Sequence, residues 1–461
     1  MRKIPILIKI YDKINNLSYF KGSDVRTIKA KKNIAFSFIV KGISILIMFA
    51  LVPLLINQLN TEKYGIWLTL ASFITWFTFF DVGLGNGLKN ILTKKLSNDD
   101  IVGAKKAVST AYVSIAAVTS ILIIVFLIGN QYLDWTKILN APGSMLSDIN
   151  GLIFFVVISF CLQLILRLIS SIYDAIQMPA ASGTITAVGN LFTIAFVLLI
   201  IIITHSHSLL YYGMALTISP LLALLIGSIY FFKYKYPSLT PSIKCFDKSM
   251  VRSLFGLGGK FFLIQITSIM LYQTNSFVIA HVVGASAVTT YDIAFKYGGI
   301  SQMVFLIVLS PIWVASADAY FKNNIDWIYK AISKLNKLIL VIGCVAIFQL
   351  IFSKQFYHLW IGNKVVINYS LTFLMLFYFI ASMRAGTYCI VLNGIGKIKL
   401  QFIFTSIEAI IHIPLSILLG TYWGINGVVI SMCLMSSLNA IWMPMQCKAI
   451  LKGKAKGIWN R

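Results

Sequence analysis

"FLMLFYFIASMRAGTYCIVLNG", residues 373–394, is an apolar run long enough to cross a bilayer with one arginine set into it. Arg384 cannot shed its proton, so it remains a cation in a segment otherwise suited to lipid. The rest of the chain must supply either an ion partner or a wet, anion-binding cavity. Similar runs recur along the 461 residues, at 34–57, 64–82, 108–128, 150–169, 183–203, 210–232, 261–283, 289–316, 338–353, 370–392, 401–420 and 427–446. With 58% hydrophobic and 11% charged residues and a mean hydropathy of +0.85, the chain carries under half the charge of a soluble protein. The reading is an all-α polytopic membrane protein with twelve transmembrane helices.

The net charge of +25 follows topology rather than nucleic-acid binding. With a cytoplasmic N-terminus, cytoplasmic segments hold 31 of the 39 Lys and Arg residues. The outer connections hold four, Lys63, Lys137, Lys354 and Lys364, and Lys41, Arg167, Lys296 and Arg384 lie within helices. This is the positive-inside pattern, and it requires an even number of spans. The charge divides the chain into a basic N-terminal segment (1–33), a first six-helix lobe (34–232), a linker (233–260), a second lobe (261–446) and a basic tail (447–461). None of the six cysteines falls in an outer connection, so no disulfide framework is expected. Charges interrupt every apolar core in 1–33, which excludes a cleavable signal.

The two lobes carry a faint repeat. "TEKYGIWLTLASF" (61–73) is echoed by "VTTYDIAFKYGGI" (288–300), and "SSIYDAIQMPAASG" (170–183) by "AGTYCIVLNGIGK" (385–397). Duplicated halves with substrate between them are an established transporter plan.

Polar residues form stripes on three helices. Gln265, Ser268, Tyr272 and Asn275 share one face of helix 7, and Gln401, Thr405, Glu408, His412 and Ser416 share one face of helix 11. Ser159, Gln163, Arg167 and Ser170 do the same on helix 4. Each stripe alone reads as interhelical hydrogen bonding; together, those on helices 7 and 11 point to a shared wet cavity. Arg384 and Glu408 each lie about eight residues, or roughly 12 Å, from the cytoplasmic ends of consecutive antiparallel helices. An ion pair between them is therefore expected, either purely structural or extended by His412 into a protonatable set. Lys41 can snorkel to the surface, Lys296 has Asp292 as an i, i+4 partner, and Asp81 can cap the turn that follows it. The chain shows no metal-ligand spacing, no phosphate-cradling loop and no catalytic constellation. "GLGNG" (83–87) has no strand before it, which argues against a nucleotide site. No cofactor is expected.

"DVGLGNGLKN" (81–90), "GGKFFLIQITSIMLYQTNSFVIAHVVGASAVTTYDIAFKYGG" (258–299), "LSPIWVASADAY" (309–320), "LWIGNKVV" (359–366) and "VLNGIGKIKLQ" (391–401) together resemble bacterial Wzx-type O-antigen flippases. These belong to the polysaccharide-transport branch of the multidrug/oligosaccharidyl-lipid/polysaccharide exporter superfamily. The resemblance implies two six-helix lobes around a central cavity in the bacterial inner membrane. It also implies alternating-access export of undecaprenyl-pyrophosphate-linked oligosaccharide from the cytoplasmic to the periplasmic leaflet. Such a substrate needs a polar groove for its hydroxyls and cations for its diphosphate. Arg384, Lys41, Lys296, Gln273 and Asn275 are the candidate substrate contacts, and Glu408 and His412 the candidates for coupling to protons or sodium. Membrane lipids and other O-antigen assembly proteins are further candidate partners; nucleic acid is not. The alternatives are a drug or lipid II exporter of the same superfamily, or a membrane polymerase or glycosyltransferase using the same carrier, against which the short loops argue.

The 31-to-4 distribution of basic residues predicts that both ends of the chain face the cytoplasm. Reporter fusions placed within 1–33 and after residue 450 should both report a cytoplasmic location; a periplasmic signal from the second would overturn the even helix count.

Overall fold

The computed structural model describes residues 25–77, 84–176, 178–254, 274–321, 323–397 and 399–460, and no strand occurs among them. In hydrocarbon a helix satisfies its own backbone, which is why apolar runs of this length take that form. The helical stretch Val25–Phe77 is broken at Asn60 (φ 64°, ψ 175°) into α1 (25–59) and α2 (61–77). Asn60 tolerates this left-handed conformation, and its Oδ1 accepts from the Lys63 amide at 3.0 Å, capping α2. Next come α3 (Leu84–Ser97) and α4 (Ile101–Gly129). Asp100 caps α4 by accepting from the Gly103 amide at 2.8 Å. The Lys95 ammonium, 2.8 Å away, and then that amide hold the Asp100 carboxyl below its ordinary range.

The short α5 (Trp135–Leu139) precedes α6 (Leu146–Leu166) and α7 (Leu168–Ala175), which meet at Arg167. Then follow α8 (Pro179–Thr204), with proline in its first turn, and α9 (Leu209–Tyr230), capped by Ser208. Beyond residue 273 lie α10 (Thr274–Val282), α11 (Ala285–Phe321), α12 (Ile325–Ile351), α13 (Ser353–Ile361) and α14 (Tyr369–Ile395). The stretch Lys399–Leu451 is broken at Trp423 and Gly424 (φ 58°) into α15 (399–422) and α16 (425–451).

Among the described residues eight helices are long and apolar enough to cross a membrane, the α1–α2, α6–α7 and α15–α16 stretches each counting once. The protein is a multi-pass membrane protein. The expected seventh span, 261–283, falls largely outside the described residues. Several helices begin well before the expected span: α4 starts seven residues before 108–128 and α12 thirteen before 338–353. Hydropathy locates the part of a helix that sits in hydrocarbon, and both helices run on into turns bearing lysines such as Lys105, Lys106, Lys330 and Lys334. Large aliphatic side chains such as Ile124, Ile128, Ile202, Leu340 and Ile410 are exposed, as a lipid-facing surface requires.

The chain packs into two compact units: residues 1–58, 77–135 and 144–262 form one, and 59–76, 136–143 and 263–461 the other. Residues 59–76 and 136–143, which fall inside 34–232, thus pack with the second unit. The first unit is centred on Leu88, Val108, Ile115, Ile169 and Ile172 from α3, α4 and α7. Within "GLGNG" Gly87 has a packing role: a Cβ there would sit 2.5 Å from the Leu254 carbonyl oxygen. In the second unit α14 is central, with 61% of its apolar window buried against 22% to 44% for the other candidate spans. Residues at the end of the chain fold onto the same unit, where Trp459 and Asn460 carbonyls accept from Gln446 and Lys397.

Within that unit α2 lies against the start of α11. A Cβ on Gly65 would run into the Ala285 carbonyl, and Thr289 Oγ1 donates to the Thr61 carbonyl at 2.7 Å. The two segments in contact are the ones related by the sequence repeat at 61–73 and 288–300. Gly65→Ala should therefore destabilise by about 1–3 kcal/mol through overpacking. Gly42→Ala, with nothing within 4 Å of the added carbon, should be neutral or stabilising by about 0.5–1 kcal/mol. Thermal unfolding of the detergent-solubilised variants checks the order.

Candidate functional site

The site is built on the polar stripe of α15. Gln401, Glu408, His412 and Ser416 are buried, and Thr405 is half-buried. The stripe is held from two neighbouring helices. His412 Nε2 lies 2.9 Å from Asn275 Oδ1 on α10, and its Nδ1 lies 2.9 Å from Ser431 Oγ on α16. An amide oxygen only accepts, so Nε2 carries the hydrogen; in the neutral ring Nδ1 then accepts from the serine hydroxyl. One turn earlier, Glu408 Oε2 accepts from Asn439 Nδ2 at 2.7 Å. Asn439 Oδ1 in turn accepts from Trp442 Nε1 at 3.0 Å, which orients the amide. Glu408 Oε1 and Gln401 Oε1 are buried without a hydrogen-bond partner.

Beside this network is a cavity of about 220 Å³ between α14, α15 and α16. Ser382, Gly386 and Cys389 line it from α14, Gln401, Thr405 and His412 from α15, and Ser436 and Asn439 from α16. Of the helix 7 stripe only Asn275 lies among the described residues. It bonds directly to His412 and does not line this cavity. Asn275 is fully buried against His412, while Gln401, Thr405 and His412 of the α15 stripe border the cavity.

The expected Arg384–Glu408 ion pair does not form. Arg384 is exposed, and its Nε donates to the Ala440 carbonyl at 3.3 Å, while Glu408 turns to Asn439. Consecutive residues of α16 thus hold the two side chains separately. The expectation rests on matching depth on adjacent helices, and depth says nothing about rotation of each helix about its axis. The guanidinium's terminal nitrogens remain uncommitted.

Lys296 and Asp292 do form the local pair, at 2.5 Å, with both side chains mostly buried. Tyr64 Oη completes the group, 3.1 Å from Lys296 Nζ and 3.4 Å from Asp292 Oδ2. The charge of Lys296 is therefore compensated within α11. Gln273, like Gln265, Ser268, Tyr272 and Asp81, lies outside the described residues, and so does the side chain of Lys41. On helix 4, Gln163 Nε2 donates to the Thr217 carbonyl at 3.0 Å, an interhelical hydrogen bond. Asn439, Ser431 and Tyr64 were not singled out from the sequence. The available signals were a lone asparagine in the apolar run of helix 12 and a tyrosine at the same place in both repeats.

The fold is that of the MATE-type membrane transporters. A multidrug resistance MATE family transporter in an inward-facing conformation superposes with a TM-score of 0.74, covering 99% of this chain and 100% of that one at 14% identity. An outward-facing structure of such a transporter gives 0.65 over 93% and 97% of the two chains, at 15% identity. The chain belongs to the polysaccharide biosynthesis protein family, whose model matches residues 30–314. A protein of Yersinia pseudotuberculosis named for O-antigen export is 23% identical over 409 residues, covering 87% of this chain and 91% of its own. A protein of Salmonella typhimurium named as an O-antigen transporter is 25% identical over 415 residues, with 86% and 91% covered.

The geometry separates two positions that the sequence treats alike. In a cysteine-free background, Thr405→Cys on the cavity wall should react with a small membrane-impermeant thiol reagent, and Asn275→Cys against His412 should not. Mass spectrometry of the labelled protein checks this. Equal labelling of both would mean that water reaches the α10–α15 contact.

Proposed function

We propose that this chain translocates undecaprenyl-pyrophosphate-linked oligosaccharide, an O-antigen repeat unit, from the cytoplasmic to the periplasmic leaflet of a bacterial inner membrane. It acts by alternating access, as a transporter and not an enzyme, with both termini cytoplasmic. The observation that carries this reading is the match, over most of both chains, to proteins named for O-antigen export. The fold it shares with transporters is consistent with it. So are the polar groups Ser382, Gln401, Thr405, Ser436 and Asn439 set into a largely apolar cavity among membrane-spanning helices, since bare hydrocarbon would strip the glycan's hydroxyls at several kcal/mol each.

In this reading Arg384 meets the diphosphate. Its exposed guanidinium spends only Nε on the protein, and the two terminal nitrogens suit a bidentate phosphate contact. Glu408 offers one buried carboxylate oxygen, Oε1, that no protein group uses, an acceptor open to a proton or a cation. His412 ties α15 to α10 and α16, so a change at Glu408 is transmitted to helices on both sides. Outward movement of a diphosphate is assisted by an inside-negative potential, at about 2.3 kcal/mol per charge per 100 mV. Coupling through Glu408 therefore adds direction to a step that the potential already favours.

Deleting the gene should leave lipid-linked repeat units on the cytoplasmic face and abolish surface polymer. Loss of polymer with single repeat units still reaching the surface would indicate a polymerase instead. Arg384→Lys, which keeps the charge and loses the fork, should lower export about tenfold with protein abundance unchanged. The exchange Arg384→Glu with Glu408→Arg should restore nothing, because no ion pair joins the two. Glu408→Gln should remove any dependence of export on the proton or sodium gradient while binding persists.

A further inference from the structure

The second unit carries another concavity, which shares no lining residue with the α14–α16 cavity and is built from four connections. Its wall is supplied by the α1–α2 junction, the α10–α11 turn, the segment before α14 and the α15–α16 junction, with a volume of about 460 Å³. All four connections lie at the end of the helices opposite the basic segments. That volume is within the range of ordinary small-molecule sites, about 300–1,000 Å³.

The lining is unusual for a gap between helix ends. Gly424, at φ 58°, makes the turn into α16 and leaves Trp423 at the elbow, 59% exposed. Asn368 stands at the N-cap of α14, the position where asparagine ordinarily bonds the first turn, yet its side chain makes no capping bond. Asn426 Nδ2 donates to Ser370 Oγ at 3.0 Å, fixing the first turns of α16 and α14 to each other and leaving Oδ1 open. Among the described residues Lys364 has no ion pair or hydrogen bond, and Thr290 Oγ1 has none either. A flat aromatic face, a short apolar floor and a rim of uncommitted hydroxyl, amide and ammonium groups thus converge on one space.

We propose that this concavity is a saccharide subsite that prefers an acid-bearing sugar. A pyranose has a face of C–H groups that stacks on an indole and an edge of hydroxyls that both donate and accept. Trp423 takes the face, and Asn368, Asn426 and Thr290 take the edge. Lys364 is one of only four basic residues in the outer connections, and here it meets the carboxylate of a uronic acid or a comparable anionic substituent. The proposal rests on the transport reading, under which a glycan headgroup is delivered at this end of the helices. A competing role for Trp423 is that of an interfacial anchor against lipid headgroups. Its neighbour Tyr422, more exposed at 75% and not part of the concavity, is better placed for that.

The test uses the full chain in lipid nanodiscs and saturation-transfer difference NMR. The probes are a glucuronate-containing disaccharide and its methyl ester, which differ only in charge. Transfer to the ring protons of the acid should exceed that to the ester by about threefold, the size of one exposed ion pair. Trp423→Ala should reduce transfer to the level of empty nanodiscs, Trp423→Phe should retain it, and Lys364→Gln should make acid and ester equal. Should Trp423→Ala melt below the wild type, Lys364→Gln and Thr290→Val decide. No transfer, equal transfer to both probes in the wild type, or wild-type transfer in well-folded Trp423→Ala each overturns the proposal, the last in favour of the lipid anchor. Export in the deletion strain separates this from the underlying reading. If deletion leaves export intact, the transport reading fails. If Trp423→Ala and Lys364→Gln restore export as fully as the wild type and neither probe receives saturation, only the subsite fails.

Discussion

His412 must find both of its hydrogen bonds inside the protein, because the hydrocarbon around α15 offers none, and it finds them on two different helices. Asn275 on α10 accepts from one ring nitrogen and Ser431 on α16 meets the other. Membrane helices gain little from apolar contact with each other when lipid is equally apolar, so such polar ties carry much of the specificity of packing. The imidazole thereby sets the rotation of α15 relative to its neighbours. That rotation in turn places Thr405 on a cavity wall and Glu408 against Asn439. Other buried groups obey the same requirement, among them Tyr64, which joins the Lys296–Asp292 pair from α2.

A second consequence concerns α16, which the sequence presents as a plain apolar helix. Its backbone carbonyl at Ala440 holds Arg384, its Asn439 side chain holds Glu408, and its Ser431 holds His412. Three ionisable side chains from two other helices are thus referred to one scaffold. A charge-bearing ligand that engages Arg384 and an ion that engages Glu408 would act on adjacent residues of the same helix. Coupling between them needs no long chain of contacts.

Much of the architecture was legible in composition and periodicity. Apolar length gives the helices, and 3.6-residue spacing gives the α15 stripe, because both depend on features local to the chain. The Lys296–Asp292 pair was legible for the same reason, being one helical turn apart. What failed depended on how helices are turned toward one another. Arg384 and Glu408 are held by adjacent residues of α16 yet face different groups. Asn439 went unread because one isolated asparagine in an apolar run does not make a stripe. The repeat between 61–73 and 288–300 marked similar segments without revealing that Gly65 and Ala285 would bring them into contact.

The junctions at Asn60 and Gly424 join helices end to end through one or two residues in unusual backbone conformations. They contain no slack. A residue inserted at either point has no loop to absorb it, and accommodating it within the following helix would turn that helix by about 100°. At the Asn60 junction such a turn would carry Tyr64 away from Asp292, and a mirror-image shift at Gly424 would move Ser431 and Asn439 off His412 and Glu408. Variation by insertion is inexpensive at exposed loop tips, so the chain can lengthen at the exposed turn 131–133 while these two joints stay fixed in length. Length polymorphism along the chain is thereby a map of where its polar ties are anchored.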